Sequence, residues 1–209
     1  MTIDPKSIYT FNELKEEVIR LRAELAKHKH DNLYQSTMPV WEDIRCPATS
    51  AKAPASAFPG WSIFDKALYA WEYSATKDQR LHFDLQMSHR RKPGTRIRLH
   101  IHWSPVDNSA GNVVWMIHYS WADIDEAFPA VANETVVVAA GETTRLHQRT
   151  HLVELDGTDH VGLSSMVKIT LYRLGTDPLD TYGAGAYLHE LDAHYISDNR
   201  GSRHETEKY

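Results

Sequence analysis

The chain has 209 residues, 42% hydrophobic and 24% charged, enough apolar material for one substantial core and too much for wholesale disorder. Lys and Arg total 23 against 28 Asp and Glu, and the resulting net charge of −5 argues against a nucleic-acid binder. A single cysteine, Cys46, excludes an intrachain disulfide, and no apolar run approaches the ~18 residues of a membrane span. The opening MTIDPKS lacks the basic-then-apolar layout of a signal peptide, so a soluble product of the cytoplasm is expected.

Residues 10–30 read as a helix. Thr10 and Glu13 have capping-box spacing, with Tyr9 and Leu14 at the staple positions. Phe11, Leu14, Val18, Leu21 and Leu25 follow at alternating steps of three and four, a heptad seam flanked by charged residues. In that register Glu17 and Arg22 occupy the g and following e positions of a parallel coiled coil, and Ile19 lies off the seam. A globular surface helix usually shows a wider apolar face, so the stripe predicts a short coiled coil that oligomerises the chain.

WEDIRCP (41–47) reads as a short strand, and residues 48–60, with small side chains and two prolines, as a linker. From there on the pattern is β: segments 66–73, 80–87, 96–103, 112–121, 134–140, 144–155, 164–173 and 186–197, separated by turn signals. Ile97, Leu99, Ile101 and Trp103 alternate with Arg96, Arg98, His100 and His102. Val113, Trp115, Ile117, Tyr119 and Trp121 share one face of their strand, as do Val167, Ile169 and Leu171 of theirs. The expected fold is mostly β, an antiparallel, jelly-roll-like β-sandwich with an N-terminal coiled-coil helix. The parts are a helix at 1–32, a short strand and linker at 33–60, and a sandwich with a polar tail at 61–209.

His100 and His102, at i and i+2 on a strand, project to one face and are candidate ligands for a divalent metal. The alternative is a strand surface shared with Arg96 and Arg98 and turned to solvent or a neighbouring subunit. His147 and His151 lie ~13 Å apart along an extended strand, and His189 and His194 have opposite parity, so neither pair makes a metal site alone. No G-x-S-x-G turn, P-loop or dinucleotide fingerprint occurs, and nothing marks Cys46 as an activated thiolate. Trp61, Trp71 and Trp103 are candidates for stacking on sugars, although most Trp in such a sandwich belong in its core.

Two resemblances follow. Gly94-x5-His100-x-His102 is similar to the opening of the cupin metal motif. The Glu that continues that motif is missing from Trp103-Ser104-Pro105-Val106-Asp107, and no second motif is present. WEDIRCP (41–47), GTRIRLHIHWSP (94–105), WMIHYSW (115–121) and ELDAHYISDNRGSR (190–203) together resemble a family of tailed-bacteriophage virion proteins, over about residues 41–204. That resemblance implies a virion location and a structural role.

The combined expectation is a homotrimeric capsid decoration (cement) or head-fibre protein that binds itself and the major capsid or other virion proteins, without catalysis. Neither nucleic acid nor membrane is an expected partner. A tail-fibre component recognising host surface glycan and a cupin-like metal enzyme using His100 and His102 are the alternatives.

Overall fold

The computed structural model describes residues 14–26, 40–198 and 201–202. Two units emerge, Met1–Met38 and Pro39–Tyr209, and each is taken by itself.

In the first unit residues 14–26 form helix α1. Leu14, Val18, Leu21 and Leu25 are each about half exposed, at 46–55%. Phe11 and the capping residues lie outside the described residues. Arg20 pairs with Glu17 at 2.6 Å and with Glu24 at 2.8 Å, so Glu17 is engaged within its own helix. Among the described residues α1 is the one α-helix, so the expected coiled coil is not found: a single helix has no second helix to wind around.

The second unit is built from ten strands: β1 (Val40–Pro47), β2 (Gly60–Asp65), β3 (Leu68–Tyr73), β4 (Asp78–Gln86), β5 (Ile97–Pro105), β6 (Asn112–Ala122), β7 (Ala132–Ala139), β8 (Gln148–Leu155), β9 (Met166–Leu174) and β10 (Ala186–Ser197). Every pairing is antiparallel. Sheet A runs β2-β3-β10-β5-β8, with β1 also on β10, and sheet B runs β4-β9-β6-β7. Counted from β3, the sheets read first-eighth-third-sixth and second-seventh-fourth-fifth. That order is a jelly roll.

β10 is the hub of sheet A. One of its edges carries β5, and the other carries β3 at Ala186–Leu188 and β1 from Glu190 to Ser197. The stretch expected as strand and linker thus supplies β1 to the sandwich. The single strand expected at 66–73 is the second arm of a β2–β3 hairpin, and β8 begins at Gln148 instead of residue 144.

Strand alternation places the core as expected. Ile97, Leu99, Ile101 and Trp103 of β5 are 0% exposed, as are Val113, Trp115 and Ile117 of β6. Trp115 meets Trp103 edge-on at 5.6 Å and Tyr73 at 5.3 Å, which links the two sheets through aromatic contacts. Each such ring buries enough area to stabilise the fold by roughly 2–3 kcal/mol. Trp103, a candidate for sugar stacking, is therefore core. At the entry to β6, Gly111 has φ +146°, and a Cβ there would lie 2.6 Å from the Tyr182 Cα, so this approach admits only glycine.

Candidate functional site

The outer face of sheet A gathers most of the polar chemistry. With the odd-numbered β5 residues turned inward, Arg98, His100 and His102 point outward. β10 places Asp192 opposite His100 and His194 opposite Arg98, and β1 places Asp43 opposite His194. A register shift between Leu188 and Glu190 leaves His189 as the extra residue. That bulge resets the strand parity, so His189 joins the face that carries His194, and the expected separation of these two rings does not hold. A second shift, between Leu99 and His100 against β8, keeps His151 opposite His100.

The rings form a contiguous group. His100 lies 4.0 Å from His194 and 5.4 Å from His102, centroid to centroid, and His102 lies 4.9 Å from His147. His102 Nδ1 and His147 Nε2 share a hydrogen bond of 2.7 Å, and His189 Nε2 bonds Ser104 Oγ at 2.8 Å. Asp192 sits beneath the group. Its Oδ1 is 2.6 Å from His100 Nε2 and its Oδ2 is 3.5 Å from His102 Nε2. His194 Nε2 is 2.8 Å from Asp43 Oδ1.

Burial and neighbouring charge act on this face together. His189 is held below the usual histidine range, first by burial and then by His147 and His102. His194 is lowered by burial and by His100, against the opposing pull of Asp43 and Asp192. His151 is lowered by burial and then by the Arg98 guanidinium. Beside them a cavity of about 350 Å³ is lined by Arg98, His100, Arg149, His151, Glu154 and His194.

His100, His102 and Asp192 each offer one ligand atom, all within 4.8 Å of one another, and so do Asp43, Asp192 and His194. The HxH pair expected from the sequence is thus brought together with a carboxylate. That carboxylate comes from β10, not from the position where a cupin carries its Glu. Asp123, Glu126 and His160 form a third group, already engaged: Asp123 Oδ2 accepts from Gly162 N at 2.8 Å, and the His160 ring stacks on Trp121.

The sugar-stacking candidates separate. Trp71 donates from Nε1 to the Ala48 carbonyl at 2.8 Å and packs against the core. Trp61 is 47% exposed and stacks with Tyr69, ring centroids 6.2 Å apart, to form an aromatic platform on the β2–β3 hairpin. Tyr69 carried no distinguishing sequence signal, because its pairing with Trp61 depends on a hairpin the turn residues do not announce.

No protein-family model matches the chain, and no curated protein matches it. Among solved structures, a family 35 carbohydrate-binding module from Clostridium thermocellum is 8% identical, with a TM-score of 0.36 over 73% of this chain and 97% of that one. The CBM35 of Cellvibrio japonicus Abf62 is 10% identical at a TM-score of 0.36, over 73% and 92% of the two chains. The infectious bursal disease virus Gx strain structure is 11% identical at a TM-score of 0.37. It aligns with 75% of this chain, which spans about 32% of the viral chain. The jelly-roll assignment rests on the strand pairing itself. No helix among the described residues is long and apolar enough to cross a membrane.

Proposed function

We propose that this chain is a structural protein of a tailed-bacteriophage virion, a capsid decoration or head-fibre protein that acts as a homotrimer by binding other proteins. The supporting observation is that the chain carries both a helix with an exposed apolar stripe, Leu14, Val18, Leu21 and Leu25, and a jelly roll in a second compact unit. Such a stripe is unstable in water without a partner, and a second copy of the same helix supplies one. The virion-like stretches are compatible with a structural role. WEDIRCP, GTRIRLHIHWSP and ELDAHYISDNRGSR supply β1, β5 and β10, three adjacent strands of sheet A, and WMIHYSW supplies the core Trp115 and Trp121 of β6.

Light scattering on the untagged chain is the test. The expected mass is three times that of the monomer, and Leu21→Asp is expected to lower it while leaving the β circular dichroism unchanged. A monomeric wild type contradicts the reading.

The Trp61–Tyr69 platform favours a second reading, recognition of host surface glycan. Aromatic faces of this kind stack on sugar rings, and quenching of Trp fluorescence across a glycan panel, lost in Trp61→Ala, is its test.

A further inference from the structure

We propose that His100, His102 and Asp192 form a binding site for a divalent first-row transition-metal ion on the outer face of sheet A. The inference is independent of the virion reading.

The decisive observation is at His100 and Asp192. Their side chains are 3% and 6% exposed. His100 Nε2 and Asp192 Oδ1 lie 2.6 Å apart, yet neither makes a hydrogen bond of acceptable geometry to any group. When His100 carries its proton on Nδ1, Nε2 and Asp192 Oδ1 face each other as two buried lone pairs, which repel at that separation unless a cation lies against both. An unmet buried polar atom costs roughly 1–3 kcal/mol, so the arrangement calls for a ligand. A bound metal satisfies both atoms at once.

The neighbours fit the same role. His102 turns Nε2 toward Asp192 Oδ2, while its Nδ1 meets His147 Nε2 at 2.7 Å. When His102 Nδ1 carries the proton and donates to His147, its Nε2 lone pair faces Asp192. A histidine that ligates a metal through Nε2 requires that tautomer, held by an acceptor that takes the Nδ1 proton's hydrogen bond. His147 is thus a positioning residue. The donor set, two imidazoles and one carboxylate, suits zinc and the neighbouring transition ions, whereas calcium and magnesium prefer all-oxygen shells. Ligands come from adjacent strands: His100 and His102 from β5, and Asp192 from β10, where it stands opposite His100. A bound ion therefore cross-links the centre of sheet A.

The experiment is Zn2+ titration by calorimetry on the full untagged chain after chelator dialysis, with Co2+ as a spectroscopic probe. One ion per chain is expected, with a rise in thermal midpoint on zinc addition. Asp192→Asn and His102→Ala should each weaken zinc binding at least tenfold. His147→Leu should weaken it about 10–100-fold, and His147→Gln, which keeps an acceptor, should recover much of that loss. His118→Ala, on sheet B, should leave affinity unchanged. His102 is half-buried, so its variant keeps the test available if Asp192→Asn does not fold. Absence of stoichiometric binding by the folded wild type overturns the proposal. So does unchanged affinity in His102→Ala, or an equal loss in His151→Ala, which would mark a diffuse histidine surface and an ordinary His100–Asp192 ion pair.

Discussion

Arg173 and Asp180 form a parallel two-bond pair, Nε to Oδ2 at 2.9 Å and Nη2 to Oδ1 at 2.8 Å, with both side chains 0% exposed. The remaining guanidinium donors reach the carbonyls of Tyr73, Ala184 and Tyr182. All five N–H groups of the arginine are thereby satisfied, which is the condition under which a buried charge is tolerated. The pair fastens the segment between β9 and β10 to the end of sheet B and feeds β10 into its place.

Removing one partner should therefore be costly. Asp180→Ala leaves a buried guanidinium without its counter-charge and is expected to cost about 3–5 kcal/mol in urea denaturation. The double variant Arg173→Met/Asp180→Leu should cost less than Asp180→Ala alone, because it removes both charges. A loss under about 1 kcal/mol for Asp180→Ala would show that water reaches the site.

His189 predicts an acid-sensitive stability. Its ring packs edge-on against Phe64 at 5.1 Å, and its folded pKa lies below the ordinary ~6.5. The unfolded chain then binds more protons in the window between the folded value and ~6.5, so stability falls as pH drops through that window and levels off below it. In chelator, His189→Gln is expected to flatten the slope of unfolding free energy between pH 7 and 5. An unchanged slope would mean that protonation at this position is indifferent to folding.

The two tryptophans of the β2–β3 hairpin should differ sharply. Trp71→Ala loses core packing and the bond to Ala48, for about 3 kcal/mol. Trp61→Ala, at an exposed position, should cost less than ~1 kcal/mol. Equal losses on thermal melting would show that the platform belongs to the core.

Cys46 should be chemically quiet. Burial first, and then the nearby carboxylates of Glu190, Asp192 and Asp84, push its thiol up to about 11. At pH 8 roughly a thousandth is thiolate, so alkylation of the native protein should be far slower than in urea. Similar rates in the two conditions would show that the strand carrying it opens readily.

Much of this architecture is legible in the sequence, because alternation reports burial directly. Ile97 to Trp103 and Val113 to Trp121 announce both their strands and their inward faces. The β2–β3 hairpin is not legible, since its turn places Lys66 at φ +50°, where glycine or asparagine would be the signal. The histidine face is half legible. HxH identifies His100 and His102, but Asp192 lies a long way along the chain and becomes their neighbour only through strand pairing. The parity argument for His189 and His194 fails at the bulge, which no residue type there advertises. The helix is legible as a periodic stripe, but the coiled coil read from that stripe needs further helices that the single chain does not contain.

The position of β10 in the sheet has a consequence for biosynthesis. A ribosome delivers β1, β3, β5 and β8 first, but until residues 186–197 emerge β1 has no partner strand, and β3 and β5 each lack one of their two. Half of the sandwich therefore waits with open strand edges, and its closure joins segments well over a hundred residues apart, such as Val40 and Ser197. Such distant pairing makes for slow folding and a long exposure to aggregation. A substitution that weakens β10 should thus show itself first as a loss of soluble yield at high expression temperature, before any change in the behaviour of the protein that does fold.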